Sequence, residues 1–199
     1  MQDVSILLFD GFDELDAIAP YEVFAMADEM NETFDVSYAT CEVVDTVTAS
    51  HGTKLVADGV LDDPDLLVVP GGGWNDGGGV RREVDEGLLP EEIAKRHAEG
   101  TTVASVCTGA MLLANAGLLD DRPATTHHAA RSDLREYARL QEARVVDTGD
   151  VVTAGGITSG IDLSLWLVER FCDYDLAMDV ARELEHDRSD DIVEVDVQH

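Results

Sequence analysis

One cysteine, Cys107, stands where an apolar β-rich run, TTVASV from Thr101, gives way to the helical run CTGAMLLANAGLL. At a strand-to-helix turn of this kind the sulfur lies near unpaired helix N-terminal amides and the positive end of the helix dipole, and both favour a thiolate. Gly109 would let the turn be tight, as in the nucleophile elbow of hydrolases, although the GxSxG pattern is absent. The position predicts either a reactive thiolate or a buried structural cysteine.

An acidic residue, Asp16, lies in the apolar stretch LDAIAP before the first predicted helix. Burial there would raise the pKa of its carboxyl group, and the protonated acid could then donate a hydrogen bond to the sulfur of Cys107. The alternative is a helix cap or a solvated partner of the helix dipole. We adopt that alternative for Asp13, Glu14 and Glu22.

A glycine-rich loop, GGGWNDGGG, follows the apolar strand DLLVVP. Gly71, Gly72 and Gly73 lack side chains, so their backbone N–H groups can approach a ligand closely and could supply an oxyanion hole. A phosphate or dinucleotide loop is weakly supported, because no GK[ST] follows and the loop does not open the first strand-helix unit. A plain turn is the third interpretation.

Two adjacent histidines, His127 and His128, would point to opposite faces of a strand, which disfavours a shared metal. Either could orient or deprotonate Cys107, and a surface or hydrogen-bonded histidine is the alternative. Cys41 and Cys172 form no CxxC pair with Cys107, so reduced structural thiols are expected. No metal and no cofactor are predicted, because the remaining histidines offer no ligand spacing: His51, His97, His186 and His199.

The elements around these residues alternate between short apolar strands and helices. The strongest strand patterns are VSILLF, FDVSYAT, DLLVVP and TTVASV, with a short strand in PATTH and an edge-like final strand in IVEVDV. VTASHGTKLVADGVL predicts an irregular extended excursion or a hairpin, and a hairpin is predicted around Gly149-Asp150. Helices are predicted in AIAPYEVFAMADEM, from about Asp85 to Glu99, after Cys107 up to Gly117, in RSDLREYARL with Ser132 as a possible cap, and in two C-terminal segments. Alternation of this kind predicts an α/β fold with a mostly parallel sheet and helices on both faces. Ligand sites of such sheets lie at the carboxyl ends of the strands.

Composition limits the partners of the chain. A length of 199 residues with 45% hydrophobic residues predicts one domain over residues 1–199. The net charge of -29 would repel phosphates, so nucleic acid is excluded as a partner. The apolar content argues against an acidic disordered chain and favours a surface adapted to concentrated salt. With no signal-like segment and no apolar run near the roughly 20 residues of a membrane span, a soluble cytoplasmic protein without membrane contact is expected.

Several separated motifs together resemble the DJ-1/PfpI superfamily. The likeness runs from about Val4 to Ala181 and rests on the PGG loop, ASVCTGAMLLANAGLLD, ATTH, TAGGITSGIDLSLWL and ELDAIAPYEVF. CTG rather than CHG, with LDAIAP and GGITSGID, looks closest to the isocyanide hydratase subgroup and to amidase-like domains fused to AraC-type regulators. No segment resembles the AraC-type DNA-binding half. Proteolytic members place a histidine directly after the cysteine, and Thr108 at that position makes peptidase activity doubtful.

The resemblance implies a flavodoxin-like three-layer sandwich, a homodimer and a small-molecule substrate. The residues it implies are a nucleophile at Cys107, an acid partner at Asp16, oxyanion amides at Gly72, Thr108 and Gly71, and an accessory histidine at His127.

Three functional hypotheses follow. The preferred one is an isocyanide hydratase, in which Cys107 attacks the isocyanide carbon and Asp16 shuttles a proton. A glyoxalase-like enzyme would use the same residues on an α-oxoaldehyde. In a non-enzymatic redox sensor, Cys107 would be oxidised to a sulfinate. Trp74, Tyr21 and His128 are further candidates for the pocket wall.

Overall fold

The computed structural model describes residues 1–195. Its strands are β1 (Gln2–Leu7), β2 (Phe34–Thr40), β3 (Thr46–Thr48), β4 (Lys54–Val56), β5 (Gly59–Val60), β6 (Leu66–Val69), β7 (Thr102–Ser105), β8 (Pro123–Ala124), β9 (Arg139–Leu140), β10 (Val145–Asp147), β11 (Val151–Ala154) and β12 (Ile192–Glu194). Its helices are α1 (Glu14–Asn31), α2 (Gly79–Glu86), α3 (Leu88–Ala98), α4 (Ala110–Asn115), α5 (Arg131–Leu134), α6 (Ser159–Phe171) and α7 (Tyr174–Glu183).

Eight strands form the central sheet in the order β12-β10-β11-β7-β6-β1-β2-β5. All neighbouring pairs of this sheet are parallel except β10 and β11. Every residue of β6 is buried, as expected for a parallel strand covered on both faces. Helices α1, α6 and α7 pack together, as do α2, α3 and α4. The predicted flavodoxin-like α/β sandwich is confirmed.

The first helix begins earlier than predicted. Its N-cap is Asp13, whose carboxylate accepts the Leu15 N–H at 3.2 Å, so Asp16 lies in the first turn of α1 rather than before it. Pro20 is inside the helix and has no N–H for the carbonyl of Asp16, four residues back. The prediction began the helix at Ala17, three residues after its observed first residue Glu14, whereas the cap role expected for Asp13 is confirmed.

The segment around the two histidines also differs from the prediction. Strand β8 covers only Pro123–Ala124, so His127 and His128 do not lie on a strand, and their ring centroids are 4.1 Å apart. Helix α5 is a single turn, and Ser132 lies inside it, where its hydroxyl bonds to Asp133 instead of capping. The N-cap of α5 is Ala130, which makes no side-chain cap bond. His127 caps the 3-10 turn that precedes α5, His128–Ala130, and its ring accepts the Ala129 N–H.

Other boundaries follow the sequence more closely. β3 and β4 form the predicted hairpin, β10 and β11 form the second, and Gly117 follows α4 at a φ of 77°. The helix predicted from about Asp85 is two helices, α2 and α3, separated by Gly87 at a φ of 85°. β12 lies at the sheet edge as predicted, whereas residues 196–199, including the end of IVEVDV and His199, lie outside the described part of the chain. None of the helices within residues 1–195 combines the length and the apolarity that a bilayer crossing requires.

Candidate active site

Cys107 lies at the carboxyl end of β7, at the sharp turn that leads into α4. Its φ is 58°, a left-handed conformation that costs a non-glycine residue about 1 kcal/mol, and its side chain is buried. The backbone is held on both sides, since its N–H donates to the Gly155 carbonyl at 2.8 Å and its carbonyl accepts the Thr126 hydroxyl at 2.8 Å. A Cβ at Gly109 would lie 2.4 Å from the Val69 carbonyl, so the turn packs closely against the end of β6.

Asp16 is fully buried beneath the same turn. Its Oδ2 accepts the Gly71 N–H at 3.0 Å, while its Oδ1 is buried without a hydrogen-bond partner among residues 1–195. Burial, with a smaller effect of the Asp13 charge, raises the pKa of Asp16 to about 8, although the Gly71 amide and the Cys107 thiol oppose the change. The carboxyl group is therefore protonated at neutral pH and can donate a proton.

The Cys107 thiol and the Asp16 carboxyl group each change the pKa of the other. Burial and then the negative charge of Asp16 raise the pKa of Cys107, and the backbone N–H groups of Thr108 and Ile157 only partly offset this. The helix N-terminus was expected to favour a thiolate, but its effect on the pKa of Cys107 is smaller than the opposing effects of burial and of the Asp16 charge. Because two buried acids lie side by side, they titrate as a pair, and a thiolate is favoured only while Asp16 holds its proton.

The glycine loop is tied to the turn. The Gly72 N–H donates to Oγ1 of Thr108 at 3.0 Å, and that hydroxyl donates back to the Gly72 carbonyl at 2.7 Å. The Gly71 N–H is already bonded to Asp16. Both glycine amides assigned by resemblance to an oxyanion hole are thus occupied, and the amides directed at the sulfur belong to Thr108 and Ile157.

Ile157 is the site residue that sequence reasoning missed. It follows the glycine pair Gly155-Gly156 after β11, and β11 is the parallel neighbour of β7 in the sheet. Carboxyl ends of adjacent parallel strands meet at one edge, so the loop after β11 had to lie beside Cys107. Ile157 was missed because the sequence alone does not give the order of the strands in the sheet.

Above the sulfur lies a cavity of about 310 Å³, here called the thiol cavity. Cys107 and Thr108 line it together with the apolar side chains of Trp74 and Ile157. The Trp74 indole N–H donates to Asp133 at 2.6 Å, and the Arg81 guanidinium lies 3.6 Å from the ring centroid. This rigid aromatic wall and the small volume suit a small, largely apolar ligand.

His127 lines the thiol cavity, as does the predicted pocket residue Trp74, whereas Tyr21 does not. The Nδ1 atom of His127 accepts the Ala129 N–H at 3.3 Å, which places the ring proton on Nε2. Burial and then the neighbouring His128 lower the pKa of His127. A neutral imidazole that can donate from Nε2 therefore faces the cavity.

Three side chains near the mouth form a group that the sequence did not suggest. Ligand atoms of Asp13, Glu14 and His51 lie within 4.8 Å of one another. The Glu14 carboxylate already accepts the His51 N–H at 3.0 Å and the Thr53 N–H at 3.3 Å, and it bonds to Nδ1 of His51 at 2.9 Å. Through these bonds Glu14 anchors the turn of the β3–β4 hairpin, which explains why the three side chains lie together.

The fold and the site define a class: a flavodoxin-like α/β sandwich that carries a buried cysteine at a strand-to-helix turn next to a buried acid. The chain belongs to the DJ-1/PfpI family, whose model matches residues 2–170. It is 34% identical over 187 residues to an isonitrile hydratase of Pseudomonas putida, covering 92% of this chain and 78% of that protein. It is 31% identical over 160 residues to a deglycase of Thermococcus kodakarensis, with coverages of 76% and 88%.

A solved structure gives the same picture. A ThiJ/PfpI family protein from Pseudomonas syringae superimposes with a TM-score of 0.83 at 25% identity, covering 94% of this chain and 76% of that one. The family thus includes enzymes that act on small molecules.

Proposed function

We propose that this protein hydrates isocyanides to N-substituted formamides, with Cys107 as nucleophile and Asp16 as proton shuttle. The observation that carries the proposal is the buried Oδ1 of Asp16, which has no partner within residues 1–195 and belongs to a carboxyl group that is neutral at pH 7 beside a buried thiol. The likeness to the isonitrile hydratase supports the choice of substrate.

The first step joins sulfur and carbon. In the reactive form of the pair, Asp16 holds the proton and the sulfur of Cys107 holds the negative charge. The sulfur attacks the terminal isocyanide carbon, forming a C–S bond, and Asp16 delivers its proton to the same carbon. The product is a thioimidate, S–CH=N–R, and Asp16 is left as a carboxylate. The N–H groups of Thr108 and Ile157 lower the pKa of the Cys107 thiol and so favour the thiolate before the attack.

The second step consumes water. A water oxygen bonds to the thioimidate carbon while Asp16 takes one water proton and passes it to the nitrogen, which gives the intermediate HO–CH(S)–NH–R. The C–S bond then breaks, sulfur leaves with the electron pair, and the hydroxyl proton returns to Asp16. The formamide R–NH–CHO is released and the starting form of the pair is restored. His127 lines the cavity and is placed as an accessory hydrogen-bond donor to the water or the nitrogen.

A second candidate is an enzyme for α-oxoaldehydes. It is favoured by the 31% identity to the deglycase, and Cys107 would form a hemithioacetal with the carbonyl carbon. A redox sensor is less well supported, because burial raises the pKa of the Cys107 thiol and peroxide reacts with exposed thiolates.

Turnover of phenyl isocyanide and methylglyoxal tests the proposal, with wild type, Asp16→Asn and Cys107→Ser compared in concentrated salt. We expect formamide from wild type and a loss of at least about a hundredfold in both variants. Cys41→Ser is the matched control, since Cys41 is half-buried away from the thiol cavity, and it should keep full activity.

Three outcomes would count against hydration. Methylglyoxal consumption without formamide assigns the protein to the second candidate, and inactivity on both substrates leaves the redox role. Formamide production that survives in Cys107→Ser removes the proposed nucleophile.

We also propose a homodimer, as the family resemblance implies, and sedimentation equilibrium measures it.

A further inference from the structure

A second cavity of about 450 Å³, here called the distal cavity, adjoins the thiol cavity. The two cavities share His127 and Ile157 in their walls, which places them side by side. Basic side chains enter the distal cavity from two segments, Arg131 from α5 and Arg144 from the residue before β10. The thiol cavity has no arginine in its described wall.

Arg81 and Arg131 are the partly buried arginines without an ion pair among the described residues; Arg81 stacks on the Trp74 ring, and Arg131 makes no such contact there. The Nε of Arg131 is buried without a hydrogen-bond partner, and the side chain makes no ion pair within residues 1–195. Arg144, in contrast, is paired with the buried Asp162. In a chain with 42 acidic and 13 basic residues, a partly buried arginine without an acid is left for something else to neutralise.

The acidic residues that line the distal cavity do not neutralise the charge of Arg131. Glu142 and Asp191 line the cavity but are exposed, and Asp191 already accepts the backbone N–H of Arg144 at 3.0 Å. The charge of Arg131 acts on the shared wall, because it contributes to the lowered pKa of His127. The two carboxylates are therefore exposed, whereas the Arg131 side chain is partly buried and its Nε is fully buried.

We infer that the distal cavity binds a carboxylate, and that the ligand of this protein is a small molecule with its reactive carbon at Cys107 and its carboxylate at Arg131. A guanidinium matches a carboxylate in geometry and can donate two parallel hydrogen bonds to it. The inference rests on the proposed function in that it assigns a substrate class, carboxylate-bearing electrophiles, to the same site.

Alkylation of Cys107 tests the inference without hydration. N-phenyl iodoacetamide and 4-(iodoacetamido)benzoate carry the same reactive group, and the sulfur displaces iodide from either, but only the second carries a carboxylate. Rates are measured by mass spectrometry at one ionic strength, and the readout is the preference for the charged reagent over the neutral one. We expect Arg131→Gln to lower this preference about tenfold, the factor of one modest charge-assisted hydrogen bond.

Two variants control for charge and folding. Arg135→Gln removes the same charge from an exposed position four residues along the chain and should leave the preference unchanged. Arg131→Lys keeps the charge and should restore part of the preference. An unchanged preference in Arg131→Gln, or an equal fall in Arg135→Gln, would overturn the inference.

Failure of the two proposals is distinguishable. Selective alkylation with no isocyanide turnover would keep the carboxylate site and reject hydration. Turnover of phenyl isocyanide with no charge preference in alkylation would keep hydration and reject the carboxylate site. Where both hold, 4-carboxyphenyl isocyanide should have a KM about tenfold below that of phenyl isocyanide, and Arg131→Gln should abolish the difference.

Discussion

Oδ2 of Asp16 accepts a hydrogen bond from the Gly71 amide at 3.0 Å, and this contact joins the first turn of α1 to the loop that follows β6. It fixes one oxygen of the carboxyl group while the other oxygen stays buried without a partner in the described chain. The position of the acid is thus specified by the fold, and its neutral form is favoured by its surroundings.

The buried carboxyl group of Asp16 should make the protein less stable as pH rises. Its folded pKa of about 8 lies above the ordinary aspartate value of 3.8, so between these values the folded state binds more protons than the unfolded state and stability falls with increasing pH. Asp16→Asn cannot ionise, so its free energy of unfolding should increase relative to that of wild type by about 1.4 kcal/mol for each unit by which the pH rises. Urea unfolding at about pH 5.5 and about pH 7.5 measures this, and a pH-independent difference would contradict it.

Gly71→Ala should disrupt the site. A Cβ there would lie 2.7 Å from Oδ2 of Asp16, 2.7 Å from the Thr108 nitrogen and 2.8 Å from its Oγ1. Since these atoms are buried, they cannot move away without breaking the hydrogen bonds of the loop, so we expect a destabilisation of about 1–3 kcal/mol and a large fall in activity. Gly59→Ala, where the new Cβ meets nothing within 4 Å, is the control and should change neither.

Asp162 should be important for the attachment of the C-terminal segment. Its buried carboxylate bonds to the Arg144 side chain, to His186 at 2.9 Å and to the Ser189 N–H at 2.8 Å. Asp162→Asn leaves these groups without their charged partner and should cost about 3–5 kcal/mol in urea unfolding. Asp179→Asn, which removes an exposed ion pair with Arg182, should cost no more than about 1 kcal/mol. Equal costs would refute the assignment.

The acidic surface should make stability depend on salt. With a net charge of -29, self-repulsion opposes folding, and about 1 M salt shortens the screening length to about 3 Å. We expect the Tm to rise steeply between about 0.1 M and about 2 M KCl. Sucrose at matched osmolality is the control for solute effects other than screening. A Tm that rises equally in both would show that charge screening is not the cause.

The sequence was sufficient for the fold because its signals are local. Continuous apolar runs such as LLVV in β6 and the alternation with helices depend on neighbouring residues and predicted the sandwich well. The errors fell where tertiary contacts decide. His127 caps a turn in a segment that reads as a strand, and Ser132 lies inside α5 instead of capping it.

The candidate site was predictable only in part. Cys107 and Asp16 were found from their positions at element ends, and the structure places both at the carboxyl edge of the sheet. Ile157 and Arg131 were missed because neither belongs to a local pattern. Ile157 depends on the strand order, in which β11 lies beside β7, and Arg131 depends on the single-turn helix α5 lying at the wall of the distal cavity.

The positive φ of Cys107 implies a cost that selection has accepted. At 58°, glycine should be the most stable residue at this position, so the free energy of unfolding of Cys107→Gly should exceed that of Cys107→Ala by about 1 kcal/mol, although both variants lack the sulfur. A cysteine at a position where glycine would be more stable indicates that the thiol serves a function, whichever reaction it performs.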